Sequence, residues 1–306
     1  MQANHRVLVI GATGTIGGEV VRQLLDDGVA VRAMSRRPEA AALPAGAEVV
    51  AGDLTIPESL DAPLRDVDAV FLLWTAPPAT VPDVIRRIVE RARRIVFLSA
   101  PHRTPHPFFQ QPNPMARLHA SIEKAIADTG VPATVLRPGM LAANSLLWWA
   151  GQIRSGDVVQ WPYAAAASAP IDERDIAAVA VRTLFSSTDA SVDYVLTGPE
   201  PLTHADQIRI ISEVLGRPLR LHELSPKEFR HLMADQVPPA VIEMLLNAWA
   251  ASVGIPPFMT STVSDIIGRP ARSYRDWVAR AAQRQGAGSI ATANSLLFDP
   301  GSPSRT

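Results

Sequence analysis

The feature that most restricts this chain is a glycine-rich turn, Gly11-Ala-Thr-Gly-Thr-Ile-Gly-Gly18, set between two different periodicities. Before it, Arg6–Ile10 (RVLVI) is a short apolar run of strand character. After it, Ile16, Val20, Val21, Leu24 and Leu25 recur at helical spacing over Thr15–Asp27, and Gly28 is placed to cap that helix. In such a strand–turn–helix, Gly11 permits the tight turn, Gly14 lets backbone approach a diphosphate, and Gly17 lets the helix press on the strand. The helix N-terminus adds unpaired N–H groups and the positive end of a dipole. This is the chemistry of a dinucleotide site, and the flanking elements make it specific where glycine spacing alone would not.

The alternation continues. Val29–Met34, Glu48–Ala51, Asp68–Leu73, Arg94–Ser99 and Ala133–Leu136 read as strands, with helices at Val81–Arg91 and Met115–Thr129. Apolar strands alternating with helices predict an α/β fold, a doubly wound Rossmann-type parallel sheet covered on both faces. After Gly139 the pattern loosens into a smaller, mostly helical C-terminal lobe. Helices are expected at Leu141–Ser155, Glu173–Phe185, His204–Leu215, Pro226–Asp235 and Ser273–Gln283, with strands near Tyr194–Leu196 and Pro218–His222. The division is then 1–139 for the dinucleotide, 140–285 for a substrate, and a flexible Gly/Ser/Ala/Pro-rich tail over 286–306. Within it, the Glu173–Phe185 helix and the strand near it are expected to return to the sheet. Proline is frequent, 27 in 306 residues, and clusters over Pro101–Pro114, which must therefore be a loop. It reads as a mobile lid with Phe108 and Phe109 as its apolar tip.

Composition narrows the partners. Lys and Arg total 29 against 30 for Asp and Glu, so no basic footprint for nucleic acid or an anionic membrane exists. The absence of cysteine removes disulfides, thiolate nucleophiles and Cys-ligated metals. His102 and His106 lie four apart among prolines with no carboxylate in the loop, so no metal site is expected. With no signal-like start and no long apolar run, a cytoplasmic protein acting on a small hydrophobic molecule is the expectation. Nothing in the sequence marks an oligomeric state.

The second strand ends in Ser35-Arg36-Arg37-Pro38, where an NAD site would carry an acid. Two guanidiniums beside a hydroxyl suit a 2′-phosphate, so NADP(H) is expected over NAD(H); the alternative is that the arginines are surface charges.

Together with Gly52-Asp53-Leu54, Phe97-Leu98-Ser99, His119–Lys124, Thr134-Val-Leu-Arg-Pro-Gly139, Asn144, Ile171–Ile176 and Thr197–Thr203, these residues resemble the atypical short-chain dehydrogenase/reductase superfamily, in its NmrA-like branch. The resemblance implies that Gly11, Thr13, Gly14, Thr15, Ile16 and Gly17 hold the pyrophosphate, and Ser35, Arg36 and Arg37 the 2′-phosphate. It also implies that Asp53 and Leu54 flank the adenine and that Leu73, Trp74 and Thr75 approach the nicotinamide ribose. Asp53 could instead be the N-cap of a helix following Thr55.

The family's usual Tyr-x-x-x-Lys pair is absent: alignment on Glu123 puts Met115 at the tyrosine position and His119 at the lysine position. A thioether exchanges no proton. His119 is then a candidate for ribose contact or proton donation, or a helix histidine paired with Glu123; Ser99 is placed like the family's active-site serine, or caps its strand. Met115, Met140, Asn144, Trp148 and Trp161 are the expected pocket. The expected activity is NAD(P)H-dependent hydride transfer to a hydrophobic conjugated acceptor, a quinone, iminium ion or activated enone. The alternative is a non-catalytic NADP(H)-binding regulator of the NmrA-like type.

Overall fold

A computed structural model describes residues 5–186 and 190–286 of the chain; the expected tail lies, beyond Gly286, outside these residues. The first half alternates β1 (Arg6–Ile10), α1 (Thr15–Asp26), β2 (Ala30–Ser35), β3 (Glu48–Ala51), β4 (Ala69–Leu73), α2 (Val81–Val89), β5 (Arg94–Leu98), α3 (Pro114–Ala127) and β6 (Ala133–Pro138). There follow α4 (Asn144–Ser155), β7 (Val158–Pro162), β8 (Ala167–Ser168), α5 (Glu173–Leu184), β9 (Val192–Leu196), β10 (Leu202–Thr203) and α6 (His204–Leu215). The described residues end in β11 (Arg220–Leu224), α7 (Pro226–Met233), α8 (Pro239–Ala250), α9 (Thr262–Ile267) and α10 (Tyr274–Gly286).

Seven strands form one parallel sheet in the order β3-β2-β1-β4-β5-β6-β9. Because strand side chains alternate, Val7 and Val9 of β1 enter one core with α1 and α5, while Leu8 and Ile10 enter another with α2 and α3. Both faces are dry, which is why the strands read as unbroken apolar runs. The order reverses between β1 and β4, and the crevice at their carboxyl ends is where such sheets bind ligands. The α5 helix and β9 do return: α5 joins the α1 face, and β9 pairs with β6. Val263 of α9 joins the same face.

The remaining elements pack around a third core of Trp149, Trp161, Trp249, Phe229, Tyr274 and Trp277. Here the sequence-based expectation needs correcting. Trp161 is 0% exposed and stacks on Trp148 at 5.4 Å, so it is a lobe-core residue and lines no open pocket. Neighbouring tryptophans can share one core because lobe elements close over both sides of α4: Trp149 is fully buried and Trp148 half-buried. Five elements escaped the sequence reading, the helices α8 and α9 and the strands β7, β8 and β10, of which β7 pairs in parallel with β11.

Candidate functional site

The cradle is built by missing atoms. Gly11 sits at φ +85°, and a Cβ there would lie 2.9 Å from Leu73 Cβ. A Cβ on Gly17 would fall 2.1 Å from the Gly11 carbonyl oxygen, so helix and strand approach as closely as backbone permits. Gly14 opens α1 with extended geometry and no capping side chain, leaving the first-turn amides for an anion. Thr13 and Thr15 are exposed beside them, whereas Ile16 is 2% exposed and contributes backbone only. These residues fit a diphosphate: open donors, a favourable dipole, and space that any side chain would fill.

At the end of β2, the Arg37 backbone N–H donates to Ser35 Oγ at 3.1 Å. Arg36 and Arg37 are exposed, and among the described residues neither has an ion-pair partner. On the adenine side the outcome is mixed. Asp53 Oδ1 accepts from the Thr55 N–H and hydroxyl, both at 2.8 Å, so its carboxylate caps the following turn. Leu54 is 3% exposed and belongs to the core under the sheet, because the chain turns inward after Gly52. Leu73 backs the cradle beneath Gly11. Trp74 is also a core residue; its indole N–H donates to the Ala76 carbonyl at 2.6 Å, closing the loop after β4 and not facing outward. Thr75 is exposed at that strand end.

From β1 the sheet runs through β4 and β5 to β6, three strand spacings or about 14 Å. There the side chains form a charged knot that the sequence reading did not anticipate. Arg137, 2% exposed, grips Glu123 through two bonds of 2.6 and 2.8 Å and reaches Asp193 of β9 at 2.9 Å. The Ser99 hydroxyl donates to Glu123 as well. Burial alone would raise the Glu123 carboxyl, but the bonds from Arg137 and Ser99 outweigh it and hold it below the usual carboxylate range. Arg103 Nη2 lies 3.4 Å, and His102 Nε2 3.8 Å, from the same carboxylate, so the knot also holds the start of the 101–113 loop. A sequence signal existed: Arg137 interrupts an apolar central strand, and a charge so placed requires a buried counter-charge.

His119 is therefore not paired with Glu123. Its Nδ1 lies 3.0 Å from the Met115 carbonyl, which can only accept, so Nδ1 carries the proton and Nε2 the lone pair. Burial pushes this imidazole down, keeping it neutral. Nε2 is then an acceptor, suited to a ribose hydroxyl and not to proton donation. Met115 and His119 stand one turn apart on α3, both half-buried, where the resemblance put them.

Beyond β6 a shallow open cleft is lined by Phe108, Phe109, Met140, Ala169, Pro257 and Phe258, among others. Met140 is the expected pocket residue that lines it; Asn144 instead begins α4, and Trp148 faces the lobe core. His106 fastens the loop across the cleft: Nδ1 accepts from the Phe108 N–H at 3.2 Å, and Nε2 donates to the Pro256 carbonyl at 3.0 Å. Behind the cleft Glu173 accepts from the Ala143 N–H and the Trp277 indole, both at 2.8 Å, and burial pushes its carboxyl up. Among the described residues no cluster of metal-ligating side chains occurs, and no helix is long and apolar enough to cross a membrane.

Comparison with known proteins agrees with this geometry. A family model described as NAD(P)H-binding matches residues 11–187. The (4-alkanoyl-5-oxo-2,5-dihydrofuran-3-yl)methyl phosphate reductase of Streptomyces griseus is 39% identical over 286 residues, covering 90% of this chain and 98% of that protein. The NAD(P)H azoreductase of Xenophilus azovorans is 30% identical, covering 89% and 96%. An NADPH-dependent quinone oxidoreductase from Escherichia coli superposes with a TM-score of 0.75 at 23% identity, over 90% of this chain and 99% of that one.

Proposed function

The chain belongs to the NAD(P)H-binding family, in the NmrA-like branch of the atypical short-chain dehydrogenases/reductases, and we propose that it is an NADPH-dependent reductase of doubly activated enones. The observation that carries this is that, among the described residues, the two candidate proton donors Ser99 and His119 have their protons engaged within the fold, by Glu123 and by the Met115 carbonyl. On the resemblance Met115 takes the place of the family's phenol. A ketone reduced there would produce an alkoxide that neither group can protonate. An alkene conjugated to two carbonyls produces a delocalised anion instead, which water can protonate after release. The S. griseus relative is named for such a substrate, a dihydrofuranone bearing an alkanoyl group and a methyl phosphate.

A bound reduced nicotinamide dinucleotide supplies the hydride. The chain's own part is placement. The cradle amides fix the diphosphate, Arg36 and Arg37 hold a 2′-phosphate, and His119 Nε2 accepts from the ribose, leaving the ring toward Met140. Phe108 and Phe109 keep water from the reacting face. The test is NADPH oxidation, followed by absorbance, against an alkanoyl-dihydrofuranone, a quinone, an iminium dye and a simple ketone. Turnover is expected with the dihydrofuranone and not with the ketone. Tight NADPH binding with no turnover on any acceptor would overturn the proposal in favour of a cofactor-responsive regulator. Met115→Tyr should gain ketone activity, and His119→Ala should weaken NADPH severalfold.

A further inference from the structure

Residues 251–260 cross the mouth of the cleft as a strap whose apolar side chains are held out in water. Val253 is 44% exposed and Ile255 and Met259 39% each, while Pro257 and Phe258 of the same strap line the cleft. Fraying does not explain the exposure, because the strap is pinned at three places. Val253 bridges to Ala166, Pro256 accepts from His106, and Thr260 bonds Val195 and Thr197 at 2.8 and 3.1 Å. Single exposed apolar residues are ordinary, but three within seven positions, in the segment whose Pro257 and Phe258 line the cleft, offer apolar surface next to it. Among the described residues, the one ionisable side chain lining the cleft, His106, has both ring nitrogens engaged. Of the two hydroxyls there, Thr197 Oγ1 bonds Thr260 and Ser168 Oγ accepts from Gln207, and the other lining side chains are apolar.

We infer that the strap receives a straight alkyl chain carried by the acceptor, with Ile255 and Met259 setting the chain length preferred. This rests on the reductase reading for the position of the reactive end. Phe258 and Met140 would grip the carbons nearest the reacting ring, and the strap's outer residues those beyond it. The pliant thioether of Met259 suits a flexible chain.

The experiment uses dihydrofuranone acceptors that share one ring and differ only in the length of a straight alkanoyl chain. In the native protein kcat/KM should rise about two- to fourfold per methylene, full burial of a CH2 setting the ceiling. Ile255→Ser with Met259→Ser should flatten that rise for the longer members. Phe185→Ser, at an exposed apolar side chain at the far end of α5, should leave it intact. No chain-length dependence, or a rise that survives the double substitution, overturns the inference. If no acceptor is reduced, the reductase reading fails, and the strap is judged by calorimetry of NADPH-loaded protein with straight-chain 2-alkanones. Binding that strengthens with length and is lost in the double variant then upholds it; absence of such binding overturns it. A dimer that dissociates in the double variant while the rise persists would make the strap a contact between copies, which also overturns it.

Discussion

The glycine cradle and the apolar cleft lie along one edge of the same sheet and are built in opposite ways. The cradle is eight consecutive residues, and its shape comes from the close approach of backbone to backbone. The cleft draws on His106–Phe109, Gly139–Met140, Ala167–Ala169, Thr197 and Pro257–Phe258, stretches distant in sequence. A local device tolerates little change at its own positions and is indifferent to what happens elsewhere. A composite one can be altered from many places, which suits relatives named for different acceptors.

The largest effect should come where the two regions meet, at the charged knot. Glu123→Ala leaves the buried Arg137 facing Asp193 alone and should cost about 3 to 5 kcal/mol in urea unfolding. A loss below about 1 kcal/mol would show that the knot does not bind loop, helix and sheet together. Acid should next strike the lobe side. Burial drives His204 from 6.5 to about 4, so it stays neutral in the fold but protonates in the unfolded chain. Its contribution, about 3 kcal/mol, is present above pH 6.5 and lost as pH falls toward 4. Stability measured across that window should flatten in His204→Asn, whose amide can still donate to the Pro162 and Tyr163 carbonyls. On the cradle side, Gly17→Val should weaken NADPH about a hundredfold in calorimetry while the lobe's near-ultraviolet tryptophan signal persists. Loss of both would erase the contrast between a local and a composite site. The finest distinction is Arg36→Ala with Arg37→Ala, expected to weaken NADPH about tenfold to thirtyfold and NADH by less than about threefold. Equal losses would remove the 2′-phosphate assignment.

The same contrast governs what could be read from the sequence. The β1–α1 unit, the parallel sheet and the return of α5 and β9 were legible because each rests on short-range periodicity or a turn residue. Leu54 and Trp74 were placed by strand-end position alone, which does not say whether a side chain points to ligand or core. The α8 helix was missed because Pro239–Ala250 is apolar on most sides and shows little period, although Ile242, Leu246 and Trp249 form its buried face. Trp161 was misplaced because β7 finds its partner, β11, some sixty residues later. Arg137 and Glu123 were each noted without being joined. Fourteen residues separate them, and only the packing of α3 beside β6 brings them together.

The route of the chain through α5 and β9 limits how acceptor preference can be transplanted. The lobe is not the last half of the polypeptide but three excursions that leave the sheet after β6, again at Gly198, where a Cβ would strike the Pro170 carbonyl, and once more after α9. A chimera joined once, after Gly139, would import a foreign α5 against the resident α1. A workable graft exchanges all three excursions and keeps α5 and α9 with their host. The host's Glu173 must then find, in the donor, an amide like that of Ala143 and an indole like that of Trp277. Asp172 beside it, which binds Arg280, and Asp175, which binds Arg269 and Arg272, add to the compatibility check for any such exchange.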